Sequence, residues 1–260
     1  MIFSWKRGKL KRDSKDYFQK QMKTNRKKLA VFDIDGTIFR SSLIVELTRA
    51  MIQAGVFSPR VAEQYAKDYK AWLDRKGPYE KYIDALVQTF RRNIRGVSRK
   101  KFQQITRQVA GFHRNRVYRF TRDLIKKLKR QRYYLLAISH SPKEAVQEFA
   151  KKFDFDKIYG VAGEVDKKGR FTGKILYEDL IFDKAQVLKR AVEKEKLTLR
   201  GSVGVGDTES DIAFLKMVAR PICFNPNRKL YQYAKRSGWE IVVERKDVIY
   251  YFKRNQRQIN

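Results

Sequence analysis

The stretch Val31-Phe32-Asp33-Ile34-Asp35-Gly36-Thr37 decides how the rest of this sequence is interpreted. Residues 29–32 form a short apolar run typical of a buried strand, and Gly36 breaks the pattern just after it. The strand therefore delivers two carboxylates, Asp33 and Asp35, to the turn at its end. Two acids at the end of a core strand are costly unless a cation compensates them. Carboxylate oxygens suit Mg²⁺, which also binds substrate phosphate oxygens, so the stretch outlines a phosphoryl-transfer site.

The bulk composition limits the class of protein. The chain has 260 residues, 42% of them hydrophobic, which suits one large domain or a core with a smaller inserted domain. The single cysteine, Cys223, excludes an internal disulfide and agrees with a reducing compartment. No apolar run approaches the roughly 20 residues of a spanning helix, and the N-terminus has no apolar signal-peptide core. We expect a cytoplasmic protein, with a peripheral position at the membrane surface as the alternative.

The charge of the chain is strongly positive. Lys and Arg number 60 against 28 Asp and Glu, a formal net charge of +32. Such a surplus attracts nucleic acid, anionic lipid or acidic metabolites. The basic residues are spread over nearly every segment, which favours a general bias of composition over a dedicated nucleic-acid function. Residues 1–28 are predicted as a basic N-terminal extension and residues 246–260 as a basic C-terminal tail. Weak association of these termini with anionic membrane or nucleic acid stays open.

A helical insert, residues 41–116, follows the first strand. Serine and proline signals predict helix starts near Ser42, Pro59, Pro78 and Ser98, and glycines follow each of the first three helices. We expect the aromatic stripes of these helices to form the core of the insert. The alternative is that some of them line a substrate pocket.

From about residue 117 the pattern changes to alternating strands and helices. Apolar strands are predicted at 133–138, 158–161, 202–205, 222–224 and 241–243, with a hairpin over 165–171. Helices are predicted between them, among others at 183–194, 210–218 and 228–237. This alternation indicates a parallel sheet with helices on both faces. The expected fold is therefore α/β, a Rossmann-like three-layer core of residues 29–40 and 117–245 with an inserted all-helical cap.

Polar residues collect at the ends of the predicted strands. Open parallel sheets bind their ligands at the carboxyl ends of the strands. The residues at these ends, with one lysine at a helix start, are Asp33, Asp35, Ser139, Lys184, Asp207 and Asp211. Each residue taken singly has an alternative interpretation. Asp207 and Asp211 also suit a helix start, Ser139 suits an ordinary turn, and Lys184 suits one of the many surface lysines. Their ordered occurrence favours a site.

These elements, in this order, resemble the four motifs of the haloacid dehalogenase-like superfamily. Further stretches, around Gly169-Arg170-Phe171-Thr172-Gly173, Gly206-Asp207-Thr208-Glu209-Ser210-Asp211 and Phe224-Asn225-Pro226-Asn227, are similar to its phosphoserine phosphatase-like subfamily. That subfamily carries a helical cap between its first and second motifs, where this sequence has its insert. The similarity covers roughly residues 29–245.

The resemblance implies a Mg²⁺-dependent phosphatase that hydrolyses a small phosphomonoester. Asp33 would be the nucleophile that forms an aspartyl-phosphate, and Asp35 the general acid and base. Mg²⁺ would be held by the Asp33 carboxylate, the Asp35 backbone carbonyl and Asp207. Asp211 would support the metal or Lys184.

The resemblance also implies a phosphate-binding set. The Ser139 hydroxyl, neighbouring backbone amides and Lys184 would hold the phosphate oxygens that are not transferred. His140 is a further phosphate-binding candidate, with a place in the pocket wall as its alternative.

Departures from the subfamily leave the substrate open. Phosphoserine phosphatases carry a glutamate for the substrate ammonium where this sequence has Ser42, and Glu46 lies one turn further on. The cap contains many arginines, and none stands out as the partner of a substrate carboxylate. Two other functions remain alternatives: phosphoryl transfer to an acceptor other than water, and a phosphatase fold that mainly binds nucleic acid or anionic membranes through its basic surface.

Overall fold

The computed structural model describes residues 26–252, so most of the predicted N-terminal extension and the last eight residues lie outside the described part of the chain. The strands are β1 (Lys28–Phe32), β2 (Tyr134–Pro142), β3 (Lys157–Val165), β4 (Phe171–Leu176), β5 (Thr198–Gly206), β6 (Arg220–Phe224), β7 (Glu240–Arg245) and β8 (Val248–Phe252). The α-helices are α1 (Leu43–Gln53), α2 (Glu63–Leu73), α3 (Tyr79–Asn93), α4 (Arg99–Phe112), α5 (Arg119–Arg130), α6 (Lys143–Ala150), α7 (Glu178–Ile181), α8 (Lys184–Lys194), α9 (Ile212–Leu215) and α10 (Arg228–Ser237).

The strands form one sheet in the order β4-β3-β2-β1-β5-β6-β7-β8. The six central strands, in the order β3-β2-β1-β5-β6-β7, pair in parallel. At the two edges β4 pairs antiparallel with β3, and β8 pairs antiparallel with β7. Strands β2, β3 and β4 lie on one side of β1, and strands β5 to β8 lie on the other side. The direction of the strand order therefore reverses between β1 and β5. Ligands of open α/β sheets bind at such a reversal, beyond the carboxyl ends of the strands.

Both faces of the sheet are covered, because successive side chains of each strand point to opposite faces. Ala30 and Phe32 of β1 pack with α5 and α6 in one cluster of buried residues. Leu29 and Val31 pack with α8, α9 and α10 in a second cluster on the other face. This confirms the predicted three-layer α/β fold.

The predicted helical cap is also confirmed as the insertion between β1 and β2. Helices α1 to α4 fill it, with a short 3₁₀ turn at Pro59–Ala62. Its aromatic residues are mostly core, as expected: Tyr82, for example, is buried and stacks on Trp72 with ring centroids 5.6 Å apart. A further aromatic residue, Tyr79 at the start of α3, lines the cavity between cap and core.

Two elements differ from the sequence-based expectation. The predicted tail 246–260 contributes β8, whose Tyr250 and Tyr251 pair with Val243 and Val242 of β7. The core therefore extends to residue 252 instead of ending at 245. The predicted helix 210–218 is a 3₁₀ turn, Glu209–Asp211, followed by the short α9. A capping box between Thr208 and Asp211 starts the turn. No helix among residues 26–252 is long and apolar enough to span a membrane.

Candidate active site

Asp33 lies directly beyond β1 at the reversal of strand order. Its backbone N–H donates to the carbonyl of Val205 on β5 at 2.9 Å, which continues the sheet pairing by one residue. The residue is only 4% exposed. An isolated carboxylate at such a depth is costly, and a lysine compensates part of its charge: Lys184 Nζ donates to Asp33 Oδ1 at 2.6 Å.

Lys184 is the first residue of α8, and the carboxylate of Asp183 caps this helix by accepting from two backbone N–H groups. The ammonium is almost fully buried and also donates to Asp211 Oδ1 at 2.6 Å. Burial alone would lower the pKa of Lys184, but the charges of Asp211 and Asp33 outweigh burial and raise the pKa above its ordinary value. Lys184 is therefore charged at neutral pH and joins the two acidic motifs.

Asp211 is completely buried and holds the turn at the end of β5. Its Oδ2 accepts hydrogen bonds from the backbone N–H groups of Asp207 and Thr208, at 2.9 and 3.1 Å. Its Oδ1 accepts from Lys184. Because both oxygens are committed, Asp211 orients Asp207 and Lys184. The neighbouring Gly206 is required here, since a Cβ at that position would lie 2.5 Å from Asp211 Oδ2.

Asp207 faces Asp33 across the end of the sheet. Its Oδ1 accepts from the Thr37 hydroxyl at 3.2 Å, and its Oδ2 accepts no hydrogen bond from the described residues. Gly36 lies directly against this oxygen with a positive φ of 75°, so a side chain at residue 36 would collide with the carboxylate and strain the backbone.

One oxygen from each of Asp33, Asp207 and Asp211 lies within 4.8 Å of the others, close enough to share one metal ion. Burial raises the pKa of Asp33 to about 7, against the opposing charge of Lys184. Burial and the charges of Asp33 and Asp211 raise the pKa of Asp207 well above its ordinary value. One lysine thus faces three acids, of which Asp33 and Asp211 are buried and Asp207 is partly buried. A divalent cation with a preference for oxygen ligands fits this set, because it supplies the missing positive charge.

Asp35 points away from this acidic cluster. Its Oδ2 accepts from the Ser139 hydroxyl at 2.7 Å, and its Oδ1 accepts from the backbone N–H of Leu43 at 2.5 Å. Leu43 is the first residue of α1, so the carboxylate sits at the positive end of the first cap helix. Ser139 in turn accepts from the N–H of Ser141. Asp35 and Ser139, which are far apart in sequence, therefore form one hydrogen-bonded unit.

His140 lines the cavity beside Ser141, and its ring packs 5.4 Å from that of Phe182. Burial, with the nearby Lys184 charge, lowers the pKa of His140 to about 3. The ring is therefore neutral at physiological pH. Its Nε2 has no hydrogen-bond partner among the described residues. A neutral imidazole can offer at most one N–H to a phosphate or to a substrate group in this cavity.

The cavity above the acids has a volume of about 220 Å³, and the cap forms one of its walls. Helix α3 supplies the residues of this wall that sequence reasoning missed: Tyr79, Glu80, Ile83, Asp84 and Val87. Glu80 forms an ion pair with the core: Lys229 Nζ of α10 lies 2.6 Å from Glu80 Oε2 and 2.8 Å from Glu209 Oε1. The sequence does show that Glu80 and Asp84, and likewise Ile83 and Val87, are four residues apart, which places them on one face of α3. This spacing does not show which part of the protein that face contacts.

Ser42 lines the cavity at the position where phosphoserine phosphatases carry a glutamate, and Glu46 does not replace it. Glu46 turns into the cap, where it accepts from the Ser41 hydroxyl at 2.6 Å and from Arg116 at 2.9 Å. His113 also lies 3.5 Å from it. No arginine of the described residues lines the cavity.

Comparison with known proteins agrees with this geometry. Residues 30–216 match the family model of the haloacid dehalogenase-like hydrolases. A Streptomyces azureus protein named "Inhibition of morphological differentiation protein" is 22% identical over 219 residues, which cover 82% of this chain and 77% of that one. A phosphoserine phosphatase of Methanocaldococcus jannaschii is 25% identical over 225 residues, 86% of this chain and 95% of its own.

Among solved structures, a phospho-aspartyl intermediate analogue of phosphoserine phosphatase superposes with a TM-score of 0.59 at 23% identity, over 86% of this chain and 96% of that one. This supports the fold, including the cap between the first two motifs. The family match covers most of the chain and contains Asp33, Lys184, Asp207 and Asp211. The chain belongs to the haloacid dehalogenase-like hydrolases, and its similarity is to the phosphoserine phosphatase-like members.

Proposed function

We propose that this protein is a Mg²⁺-dependent phosphatase that hydrolyses a small phosphomonoester through an aspartyl-phosphate on Asp33. The observation that carries the proposal is the buried Asp33 carboxylate. Its Oδ1 accepts a hydrogen bond from Lys184 at 2.6 Å, and one oxygen of Asp207 lies within 4.8 Å of an oxygen of this carboxylate, close enough for the two acids to share a metal ion. The other oxygen of Asp33 accepts no hydrogen bond from the described residues, and Asp33 lines the cavity. A carboxylate so oriented can attack phosphorus without moving its partners.

In the first step Asp33 Oδ2 forms a bond to phosphorus, and the bond from phosphorus to the alcohol oxygen breaks. Asp35 gives its proton to the departing oxygen. Lys184 stays within reach of the phosphate oxygens and counters the charge on them. Bound Mg²⁺, held by Asp33, the Asp35 carbonyl and Asp207, would supply the remaining positive charge.

In the second step a water molecule gives a proton to Asp35 and attacks phosphorus, which releases inorganic phosphate and restores Asp33. The hydrogen bonds from Ser139 and from the N–H of Leu43 fix the position of the Asp35 carboxyl group that exchanges these protons. The ion pair between Glu80 of the cap and Lys229 of the core lies beside the site and connects its two walls.

Phosphoserine itself is a poor match to the cavity. Ser42 replaces the acid for its ammonium, and no arginine of the described residues lines the cavity to meet its carboxylate. We therefore propose the class of small phosphomonoesters and leave the alcohol unassigned at this step.

The test is release of inorganic phosphate from a panel of phosphomonoesters with Mg²⁺, comparing wild type with Asp33→Asn. The matched control is Asp74→Asn, because Asp74 is exposed at the end of α2. We expect release that needs Mg²⁺, that disappears in Asp33→Asn and that persists in Asp74→Asn. Full activity of folded Asp33→Asn would refute the mechanism.

A further inference from the structure

A second cavity lies beside the active site, between the cap and the strands at one edge of the sheet. Its volume is about 140 Å³. Helices α3 and α4 form one wall, and β3 and β4 form the other. The wall is mainly apolar, with contributions from Phe90, Ile94, Phe102, Val161, Phe171 and Ile175. The catalytic steps described above use none of these residues.

This cavity adjoins the active-site cavity. Ile44, Val87 and His140 line both, so the two spaces adjoin at these three residues. The shared wall is itself apolar apart from the imidazole, and that imidazole is neutral because burial lowers the pKa of His140 to about 3. No fixed charge separates the two spaces.

The charged residues at the border of the second cavity are compensated. Arg91 lies 2.6 Å from Glu178, and Glu144 lies 3.3 Å from Arg99. Lys174 is exposed, so its ammonium can remain in water. The interior therefore offers an incoming group hydrophobic contacts without competition from unpaired buried charges.

Backbone hydrogen bonds fix the walls to each other. The N–H of Gly96, at the end of α3, donates to the carbonyl of Phe171 on β4 at 2.7 Å. The N–H of Phe171 donates to the carbonyl of Val97 at 3.0 Å. The cap is thus docked on the β3–β4 hairpin, and the space beside it is bounded by paired backbone instead of by a loose domain contact.

We propose that this cavity is a subsite for an apolar portion of the leaving alcohol, so that the preferred substrates are phosphomonoesters of alcohols with a short alkyl chain or a single ring. The proposal rests on the phosphatase function proposed above and names its substrate class. The size agrees, since an apolar cavity of about 150 Å³ admits a molecule as large as benzene.

The experiment measures kcat/KM for a series of n-alkyl phosphates, from ethyl to octyl, with Mg²⁺. Burial of each added methylene contributes a factor of about four, so we expect kcat/KM to rise from ethyl to about hexyl phosphate and then to level off. The readout is the ratio of kcat/KM for hexyl over ethyl phosphate. This ratio does not depend on the fraction of enzyme that is folded.

Two substitutions at Val161 change the cavity in opposite directions. Val161→Phe fills it, and we expect the ratio to fall by about tenfold or more, the loss of contact with two methylenes. Val161→Ala enlarges it, and the optimum moves towards octyl phosphate. Val56→Phe is the matched control, because Val56 is partly buried like Val161 but lies in the cap and lines neither cavity. We expect the ratio of this control to match that of wild type.

A flat series in wild type would overturn the subsite while leaving the phosphatase intact. An equal change of the ratio in Val161→Phe and Val56→Phe would overturn it as well. If no ester gives release that depends on Asp33, the phosphatase function falls and the subsite falls with it.

Discussion

Replacing Lys184 with methionine tests how the buried charges stabilise both fold and site. Lys184 is 3% exposed and makes two ion pairs of 2.6 Å, with Asp33 and Asp211. Methionine keeps much of the volume and removes the charge. Two buried carboxylates then face Asp207 without a cation, and breaking a buried pair by removing one partner costs about 3 to 5 kcal/mol.

The assay is urea unfolding of the variant without metal and with Mg²⁺. We expect the free energy of unfolding to fall by about 3 to 5 kcal/mol without metal. Mg²⁺ should recover more stability in the variant than it adds to wild type, because the ion supplies charge to the same three acids. Turnover should fall by a factor of about 10² to 10³, the usual effect of losing one group that stabilises a charged transition state.

The control is Lys189→Met, which removes a charge from the exposed face of the same helix. Its stability should stay within about 0.5 kcal/mol of wild type, the usual range for surface substitutions. The reasoning is refuted if Lys184→Met unfolds within about 1 kcal/mol of wild type without metal, well below the expected range.

Three further predictions concern the other parts of the site. Gly36→Ala should abolish activity and lower stability by about 1 to 3 kcal/mol, because residue 36 has φ of 75° and its Cβ would collide with the Asp207 carboxylate; urea unfolding and phosphate release check this. Ser139→Ala removes the 2.7 Å hydrogen bond to Asp35, and we expect kcat to fall by about 10-fold or more, because the hydrogen bond positions the Asp35 carboxyl group; an unchanged kcat would contradict the coupling. The third prediction is a pH dependence in EDTA. Burial raises the pKa of Asp33 to about 7, so the stability that protonated Asp33 contributes without metal is present below pH 4 and is lost as the pH rises through 7. The asparagine of the Asp33→Asn variant does not titrate, and the free energy of unfolding of this variant relative to wild type should therefore increase over that range.

Much of the core site was predictable because each acid follows an apolar strand. In a parallel sheet the strand ends meet at one edge, so Asp33, Asp207 and Asp211 had to converge there once their strands were recognised. The same argument does not reach Lys184, which lies on a helix. Its position came from the family resemblance, and its two ion pairs are a finding of the structure.

The parts that escaped prediction depend on contacts between distant segments. Nothing local in the sequence links Asp35 to both Ser139 and the first N–H of α1. The cap wall was missed because helical periodicity groups residues such as Ile83 and Val87 on one face and leaves the rotation of the helix over the core undetermined. Strand β8 was not predicted, because basic residues flank it and because most of its side chains stay exposed at the edge of the sheet.

The central claim is that Asp33 carries the phosphoryl group during turnover. The most direct measurement is rapid quenching of the enzyme during hydrolysis of a good substrate, followed by borohydride reduction, which converts an aspartyl-phosphate to homoserine, and mass spectrometry of the peptides. We predict homoserine at residue 33 only, and only when substrate and Mg²⁺ are both present. Phosphate release with an unmodified Asp33, or with the modification at another carboxylate such as Asp35 or Asp207, would contradict the account.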